Sequence, residues 1–332
     1  MAVVYENDLK DFSTLILRDP EPRIETWQGR KALRLSGQGP SLLIIPDLEL
    51  SQGLIEIYIG TQGTAYPGIA FRIQDSLNYE LAYPQPHTSG KWDAIQYDPV
   101  FHGSNTWQLY QGPGSQQVAD VPLGDWFHFR VRFKEKFAAI QVGEQKPLFV
   151  KTLAHRHHSG LVGLWAYLPA YFSNLVVHDD PGEIVPEPYG ESKNKGVGLV
   201  TEWFLEGYGK VFAEPSGILN LNRYLPATTS EVRLVRDFRI ERNGDITIQV
   251  GFSDEVDLQI DGESVFSGEN LYHNSPKWEE RGYVSLDNKV SLPLNKGVHR
   301  LAAVLKSREF FGYGITLRVE GSSVQFLPAG FN

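Results

Sequence analysis

The sequence has no cysteine and only one methionine in 332 residues. Without thiols the chain forms no disulfide, carries no thiolate nucleophile and offers no cysteine ligand for zinc. Because disulfides are the usual sign of an oxidising environment, the composition leaves no mark of the redox compartment.

Long apolar runs are also missing, and none approaches the roughly 20 residues that a helix needs to cross a bilayer. The N-terminal stretch Met-Ala-Val-Val-Tyr-Glu-Asn-Asp lacks the basic and apolar regions of a secretory signal. We therefore expect a soluble chain with no membrane span and no export signal, which favours the cytoplasm but leaves the compartment open.

Basic residues are outnumbered, with 31 Lys and Arg against 40 Asp and Glu and a net charge of -9. Nucleic acids and anionic lipid surfaces select proteins with a basic face. The charge balance therefore predicts no nucleic-acid partner, and it leaves the oligomeric state open.

Helical periodicity is scarce, whereas short runs in which apolar and polar residues alternate recur along the whole chain. Such runs occupy residues 54–59, 68–74, 79–83, 126–133, 138–142, 231–235, 237–241, 245–250, 256–260 and 314–319. The turn dipeptides Asn243-Gly244 and Asp261-Gly262 suit two-residue hairpins. The pattern predicts an all-β chain of antiparallel β-sandwich (jelly-roll) domains.

The alternating pattern lapses between residues 179 and 196, where three prolines and many charges leave little to bury. A chain of this length also exceeds what one core usually serves, although a single large sandwich stays an alternative. We predict a first domain over residues 1–180, a linker over 181–197 and a second, accessory sandwich over 198–332.

Aromatic and planar polar side chains are dense between Tyr83 and Tyr110. Sugars have apolar C–H faces ringed by hydroxyl groups, so a glycan site needs aromatic rings beside hydrogen-bonding side chains. We predict that this segment and the preceding strand build a glycan-binding cleft. The predicted ligand-binding residues are Arg72, Gln74, Tyr83, His87, Trp92, Gln96, Tyr97, His102, Asn105 and Trp107.

Strand alternation puts Arg72 and Gln74 on the face opposite Phe71, so Arg72 is expected to point to the cleft or to solvent and to clamp an acidic sugar. An alternative interpretation makes the whole segment structural. In that case its aromatic rings pack into the sandwich core and its histidines brace turns through backbone hydrogen bonds.

Six motifs follow one another along the chain: Phe71-Arg-Ile-Gln-Asp, Asn78-Tyr-Glu-Leu-Ala-Tyr, Trp126-Phe-His-Phe-Arg-Val, Ala139-Ile-Gln-Val-Gly, Gly160-Leu-Val-Gly-Leu-Trp and Phe172-Ser-Asn-Leu-Val-Val. Their order resembles that of concanavalin A-like jelly rolls. Residues 5–178 resemble this lectin and glucanase superfamily, most of all its laminin-G-like and sugar-hydrolase-like branch. The resemblance implies a jelly roll and a carbohydrate ligand, because the superfamily includes lectins, accessory binding modules, glucanases and lyases.

Residues 251–270 carry a weaker resemblance, to the jelly rolls of galactose-binding-like accessory modules. Asp261 stands where those modules commonly have Asn. The alternative interpretation is a plain hairpin with an Asp-Gly turn.

Catalysis in the same cleft is a second hypothesis. A glycosidase places two carboxylates about 5 to 10 Å apart across the scissile bond. Asp93 and Asp98 are the carboxylates of the segment, with Glu80 nearby, but the Glu-x-Asp-x-x-Glu run of laminarinase-like relatives is absent. A lyase would instead use His or Tyr to take a proton beside a uronate that Arg neutralises. The catalytic candidates are Asp93, His87, Tyr97 and His102.

The sequence has two groups of potential metal ligands, and neither predicts a metal. His155, His157 and His158 lie together without an acidic partner, which favours a solvated loop. Asp254 and its neighbours alternate on a strand and face opposite ways, so calcium is possible there but not predicted. We expect no cofactor.

Three hypotheses follow: a carbohydrate-binding protein, a glycoside hydrolase or polysaccharide lyase using the same cleft, and a structural or protein-interaction scaffold. Glycan or polysaccharide recognition is the leading one. Its ligand and linkage are not encoded in any motif of the sequence.

Overall fold

The computed structural model describes residues 2–186, 196–273, 282–321 and 324–330. The chain forms two compact units, one comprising Met1–Gly103 and Tyr110–Tyr189 and the other Ser104–Leu109 and Gly190–Asn332. The predicted linker over residues 181–197 stays a prediction, since its residues 187–195 lie outside the described part. Ser104–Leu109, a short piece of the segment predicted to bind glycan, belongs to the second unit.

The first unit contains strands β1 to β15. In chain order they are Val3–Asn7, Ile16–Arg18, Arg23–Trp27, Arg30–Leu35, Ser41–Leu50, Gly53–Gly60, Tyr66–Asp75, Asn78–Pro84, Ile95–Tyr97, Gln116–Gln117, Trp126–Lys134, Phe137–Val142, Leu148–Val150, Gly160–Tyr167 and Ala170–His178. A short 3-10 helix, Pro86–Thr88, follows β8.

The second unit contains strands β16 to β26. In chain order they are Glu202–Leu205, Gly209–Phe212, Leu219–Asn220, Glu231–Ile240, Gly244–Ser253, Glu255–Ile260, Glu263–Glu269, Asn288–Leu294, Gly297–Lys306, Gly314–Glu320 and Val324–Phe326. A second 3-10 helix, Leu221–Arg223, follows β18.

Two antiparallel sheets build the first unit. Sheet A has eight strands in the order β13-β12-β11-β6-β15-β4-β3, with β1 paired to β15, and sheet B has seven in the order β10-β9-β8-β7-β14-β5-β2. The rings of Phe71 in sheet B and Phe133 in sheet A meet at a centroid distance of 5.0 Å, which identifies the inner face of each sheet. The opposite faces are called outer faces below.

The second unit likewise has two antiparallel sheets. Sheet C has seven strands in the order β17-β16-β19-β24-β21-β22, with β26 paired to β19, and sheet D has four in the order β18-β25-β20-β23. Both sheets contribute to one buried apolar core, and its members include Leu234, Phe238, Ile248, Phe252, Leu301 and Leu317.

The predicted all-β sandwich architecture is confirmed, and each alternating run of the sequence lies in a strand, except for Glu241, the last residue of its run. Residues 231–235 and 237–241 were expected as separate runs, but Glu231–Ile240 is one continuous strand. The Asp261-Gly262 hairpin is confirmed, because both residues have positive φ between β21 and β22. The Asn243-Gly244 hairpin was wrong, since the turn leads from β19 in sheet C to β20 in sheet D.

None of the described residues belongs to a helix long and apolar enough to cross a membrane.

A cluster of three rings lies on the outer face of sheet A. Trp27 stacks on Tyr171 at a centroid distance of 4.8 Å and meets Trp126 edge-on at 5.0 Å. Gly60 lies directly beneath Trp27, where an added Cβ would lie 2.0 Å from Trp27 Cζ3. The glycine therefore makes the room that lets the indole cross the strand.

Replacing Gly60 with alanine is expected to lower the free energy of unfolding by about 1 to 3 kcal/mol, because the methyl group displaces the Trp27 indole from its stack. Gly63→Ala is the control, since a Cβ there has no atom within 4 Å. Urea unfolding of both variants measures the difference. Equal stabilities of the two alanine variants would contradict the packing argument.

Candidate functional site

The centre of the candidate site is a ring pair on the outer face of sheet B. Tyr83 in β8 and Trp165 in β14 stack at a centroid distance of 5.7 Å. Gly68 in β7 lies between them: it pairs with Trp165, and its Cβ position is 2.7 Å from Tyr83 Cβ. Because Gly68 has no side chain, the two rings meet over the intervening strand.

Three more rings extend this pair. Tyr66 contacts Tyr83 at 5.9 Å, His87 at 4.9 Å and Tyr167 at 6.1 Å, all measured between ring centroids. Tyr167 is 43% exposed, and Tyr66 and His87 are half-buried, whereas the central pair is buried. Together with Trp165 these residues are called the aromatic cluster.

Asp98 supplies a buried carboxylate beside the aromatic cluster. Tyr83 Oη donates to Asp98 Oδ2 at 3.2 Å. Burial raises the pKa of Tyr79, and the nearby Asp98 charge raises it further, against a smaller effect of its hydrogen bond with Trp165. Tyr79 is therefore a neutral hydrogen-bonding group at physiological pH.

Gln96 lies next to Tyr83 on the outer face, with which it pairs in register. Its Nε2 donates to the Tyr97 and Tyr110 carbonyls at 2.6 and 2.9 Å, and its Oε1 accepts from Gln116 Nε2 at 2.8 Å. Gln116 Oε1 in turn accepts from the Gly112 backbone at 2.6 Å. These amides fasten the loop after Tyr110 to the sheet.

Arg72 does not point to solvent as alternation predicted. Its φ is +49°, and the pairing of β7 with β8 shifts register between Phe71 and Asp75. This irregularity takes Arg72 out of the alternation. The guanidinium is 2% exposed and donates to the backbone carbonyls of Ser51 and Glu135.

Tyr97 lies on the inner face of sheet B, opposite Ala82 in register. Its hydroxyl donates to Glu80 Oε2 at 2.6 Å and accepts from the Ala154 backbone at 2.7 Å. Burial, and then the Glu80 charge, raise the pKa of Tyr97 well above its usual value. Burial lowers the pKa of Arg72, with Glu80 acting against it. Tyr97 and Arg72 thus form an interior network with Glu80.

Gln74 lies near the end of β7, and three more predicted residues lie in the loops before and after β9. Gln74 is exposed and donates to the Ser159 carbonyl at 2.6 Å. The backbone of His102 donates to Asn78 Oδ1 at 3.1 Å. Two others lie in the turn between the 3-10 helix and β9: Trp92 is half-buried and Asp93 is 2% exposed.

Asn105 and Trp107 belong to the second unit. There the Trp107 ring contacts Tyr272, Tyr283 and Phe311 at centroid distances of 5.6, 5.4 and 5.5 Å. The predicted ligand-binding residues therefore fall in four environments, and only Tyr83, His87 and Gln96 share the outer-face region of sheet B.

The prediction that His155, His157 and His158 lie in a solvated loop is wrong for His155. His155 is 9% exposed, stacks on Phe101 at 4.0 Å and donates its backbone N–H to Glu80 Oε1 at 2.9 Å. The buried Glu80 draws this backbone inward because it needs hydrogen-bond donors. In the part of the chain that the structure describes, no group of three His, Asp or Glu side chains is arranged to hold a metal ion.

Tyr66, Trp165 and Tyr167 were missed by the sequence analysis. A signal was present, because Gly163, Trp165 and Tyr167 recur at every second position and so share a strand face. The pairing of β14 with β7, which brings Trp165 and Tyr167 to Tyr66, was not visible in local sequence.

Several solved structures are similar in fold to about half of this chain. The carbohydrate-binding module CBM66 from Bacillus subtilis matches at 14% identity and a TM-score of 0.39, over 49% of this chain and 94% of that one. A Bacillus subtilis protein of unknown function with a galectin-like fold matches at 9% and 0.41, over 54% and 96%. The Bacillus licheniformis β-glucanase matches at 8% and 0.37, over 52% and 97%.

Each of these matches is a similarity in fold between about half of this chain and nearly the whole of the other chain. At such identities and TM-scores they add nothing to the geometry of the site, on which the proposals below rest. The resemblance of residues 251–270 to galactose-binding-like modules stays a prediction. No family model matches the sequence, and no curated protein matches it.

Proposed function

We propose that the first unit recognises carbohydrate through the aromatic cluster on the outer face of sheet B. The observation that carries the proposal is the graded exposure of the cluster. Tyr167 is 43% exposed, Tyr66 and His87 are half-buried, and the Tyr83 and Trp165 pair is buried behind them. An exposed ring on a rigid aromatic base offers the apolar surface on which a sugar ring stacks.

Binding is favoured over hydrolysis because the sheet separates the buried carboxylates of Glu80 and Asp98. Glu80 is opposite Phe71 in register and faces the interior, whereas Asp98 accepts from Tyr83 on the outer face. Two carboxylates on opposite faces do not flank one scissile bond.

The position of Tyr97 also argues against its role as the base of a lyase. Tyr97 lies inside the sandwich, and its raised pKa keeps it a neutral donor to Glu80 rather than a base.

The proposal is tested with a panel of neutral oligosaccharides from β-glucan, arabinan, galactan and xylan. Thermal shift reports binding, while new reducing ends report cleavage. We expect stabilisation without products. Products from any polymer would replace binding with catalysis, and no response to any saccharide would contradict the proposal.

Tyr167→Ala is expected to weaken binding of the responding saccharide about tenfold or more, because it removes the exposed ring on which the sugar packs. Tyr208→Ala is the matched control, since Tyr208 is 55% exposed but lies in the second unit. Isothermal titration calorimetry measures both affinities. The same loss in both variants would argue against the aromatic cluster as the site.

A further inference from the structure

The outer face of sheet A holds an arginine clamped between two aromatic rings. The guanidinium carbon of Arg30 in β4 lies 4.4 Å from the ring centroid of Tyr58 in β6 and 5.4 Å from that of Trp126 in β11. Arg30, Tyr58 and Trp126 are all half-buried. Cation–π contacts on two rings restrict the side chain and fix the direction of its N–H groups.

The Arg30 side chain forms no hydrogen bond and no ion pair with any other described residue. An arginine normally satisfies its fork of five donors with carboxylate, phosphate or carbonyl oxygens. A guanidinium that is held in place while its donors remain available is ready to pair with an external oxyanion.

The two carboxylates on strands β3 and β6 of the same face are already engaged. Glu25 pairs with Arg34 at 3.3 Å, and Glu56 lies 3.6 and 3.2 Å from the Nε2 atoms of His128 and His178. Glu25 and Glu56 therefore do not compete with a ligand for Arg30. Its charge is unmatched although the chain as a whole is acidic, with a net charge of -9.

We propose that Arg30, Tyr58 and Trp126 form a binding site for a hexuronic acid residue of a polysaccharide. Arg30 pairs with the carboxylate, and Trp126 offers apolar ring surface beside it for the C–H face of the pyranose. Tyr58 holds the arginine in place, because its ring lies between Arg30 and His128, which stacks on it at a centroid distance of 5.0 Å. The site lies on sheet A, whereas the aromatic cluster lies on sheet B, so either site can bind without the other.

The test is calorimetric titration of the full chain with oligogalacturonate, oligoguluronate and hyaluronan oligosaccharides, and with methyl-esterified oligogalacturonate. We expect at least one carboxylated ligand to bind. If that ligand is oligogalacturonate, its methyl ester should bind at least about tenfold more weakly, because esterification removes the charge-assisted pair. Absence of binding by all three carboxylated ligands, or equal binding of the ester, would overturn the proposal.

Arg30→Gln is expected to weaken uronate binding about tenfold or more, and Arg30→Lys to weaken it too, since lysine keeps the charge but loses the planar fork. Arg18→Gln is the matched control, because it removes the same charge from sheet B, where Arg18 donates to Ser76 Oγ. Tyr208→Ala, which removes an exposed ring of the second unit, should bind uronate normally. Unchanged affinity in both Arg30 variants would refute the assignment.

Discussion

Glu80→Ala is expected to lower the free energy of unfolding by about 3 to 5 kcal/mol, the usual cost of removing one partner from a buried charged network. Glu80 is 0% exposed. Its two oxygens accept from Tyr97 Oη at 2.6 Å and from the His155 backbone at 2.9 Å. The mutation leaves both donors without their acceptor, and it leaves the buried Arg72 without the carboxylate that favours its charge.

Urea unfolding followed by far-UV circular dichroism measures the loss. Glu80→Gln keeps the shape and an acceptor oxygen, so we expect a smaller cost of about 1 to 3 kcal/mol, and it serves if the alanine variant fails to fold. Glu144→Ala is the surface control: Glu144 pairs with Arg130 at 2.9 Å, but its side chain is 87% exposed. Its removal should cost less than about 1 kcal/mol. A Glu80→Ala variant as stable as the Glu144→Ala variant would show that the interior network contributes little.

Most of the fold followed from alternation because a strand with one buried face needs an apolar residue at every second position. Strand β11 shows this pattern, with Phe127, Phe129, Val131 and Phe133 buried and the intervening side chains turned outward. The rule failed at Arg72, where a left-handed residue and a register shift break the period. Such a bulge cannot be predicted from local composition, because the packing of the partner strands determines it.

The candidate site was only partly predictable for a different reason. Tyr83, His87 and Gln96 were predicted from the density of aromatic and amide side chains, which is a local property. Trp165 reaches Tyr83 only because β14 and β8 both flank β7. That order of strands is set by pairings distant in sequence, which composition does not encode.

The same limit explains Trp107. Its neighbours in sequence placed it with the first-domain cleft, but Tyr272, Tyr283 and Phe311 surround its ring in the second unit. An aromatic residue between two strands of one domain is equally compatible with either core, because hydrophobic burial has no direction.

Asp254 should make the second unit less stable as pH rises. Asp254 is 1% exposed. Its Oδ2 accepts from the backbone N–H groups of Arg308 and Glu309 at 2.5 and 2.7 Å. Its buried Oδ1 has no hydrogen-bond partner among the described residues. Burial raises the pKa of Asp254 to about 6, against the lowering effect of those two hydrogen bonds. The folded chain thus holds this proton more tightly than the unfolded chain, so stability from this group is full below pH about 4 and is lost as pH rises through about 6.

Asp254→Asn removes the titration and keeps an oxygen for both backbone donors. Whatever the difference in stability between variant and wild type at pH about 4, the stability of the variant relative to wild type should rise by about 2 to 3 kcal/mol by pH about 8, which is most of the free energy of the pKa shift. Urea unfolding at both pH values gives this difference, in which all other titrating groups cancel. Asp245→Asn, which alters an exposed carboxylate of the same unit, should change by less than about 0.5 kcal/mol. A difference between Asp254→Asn and wild type that does not depend on pH would mean that Asp254 titrates alike in the folded and unfolded chain.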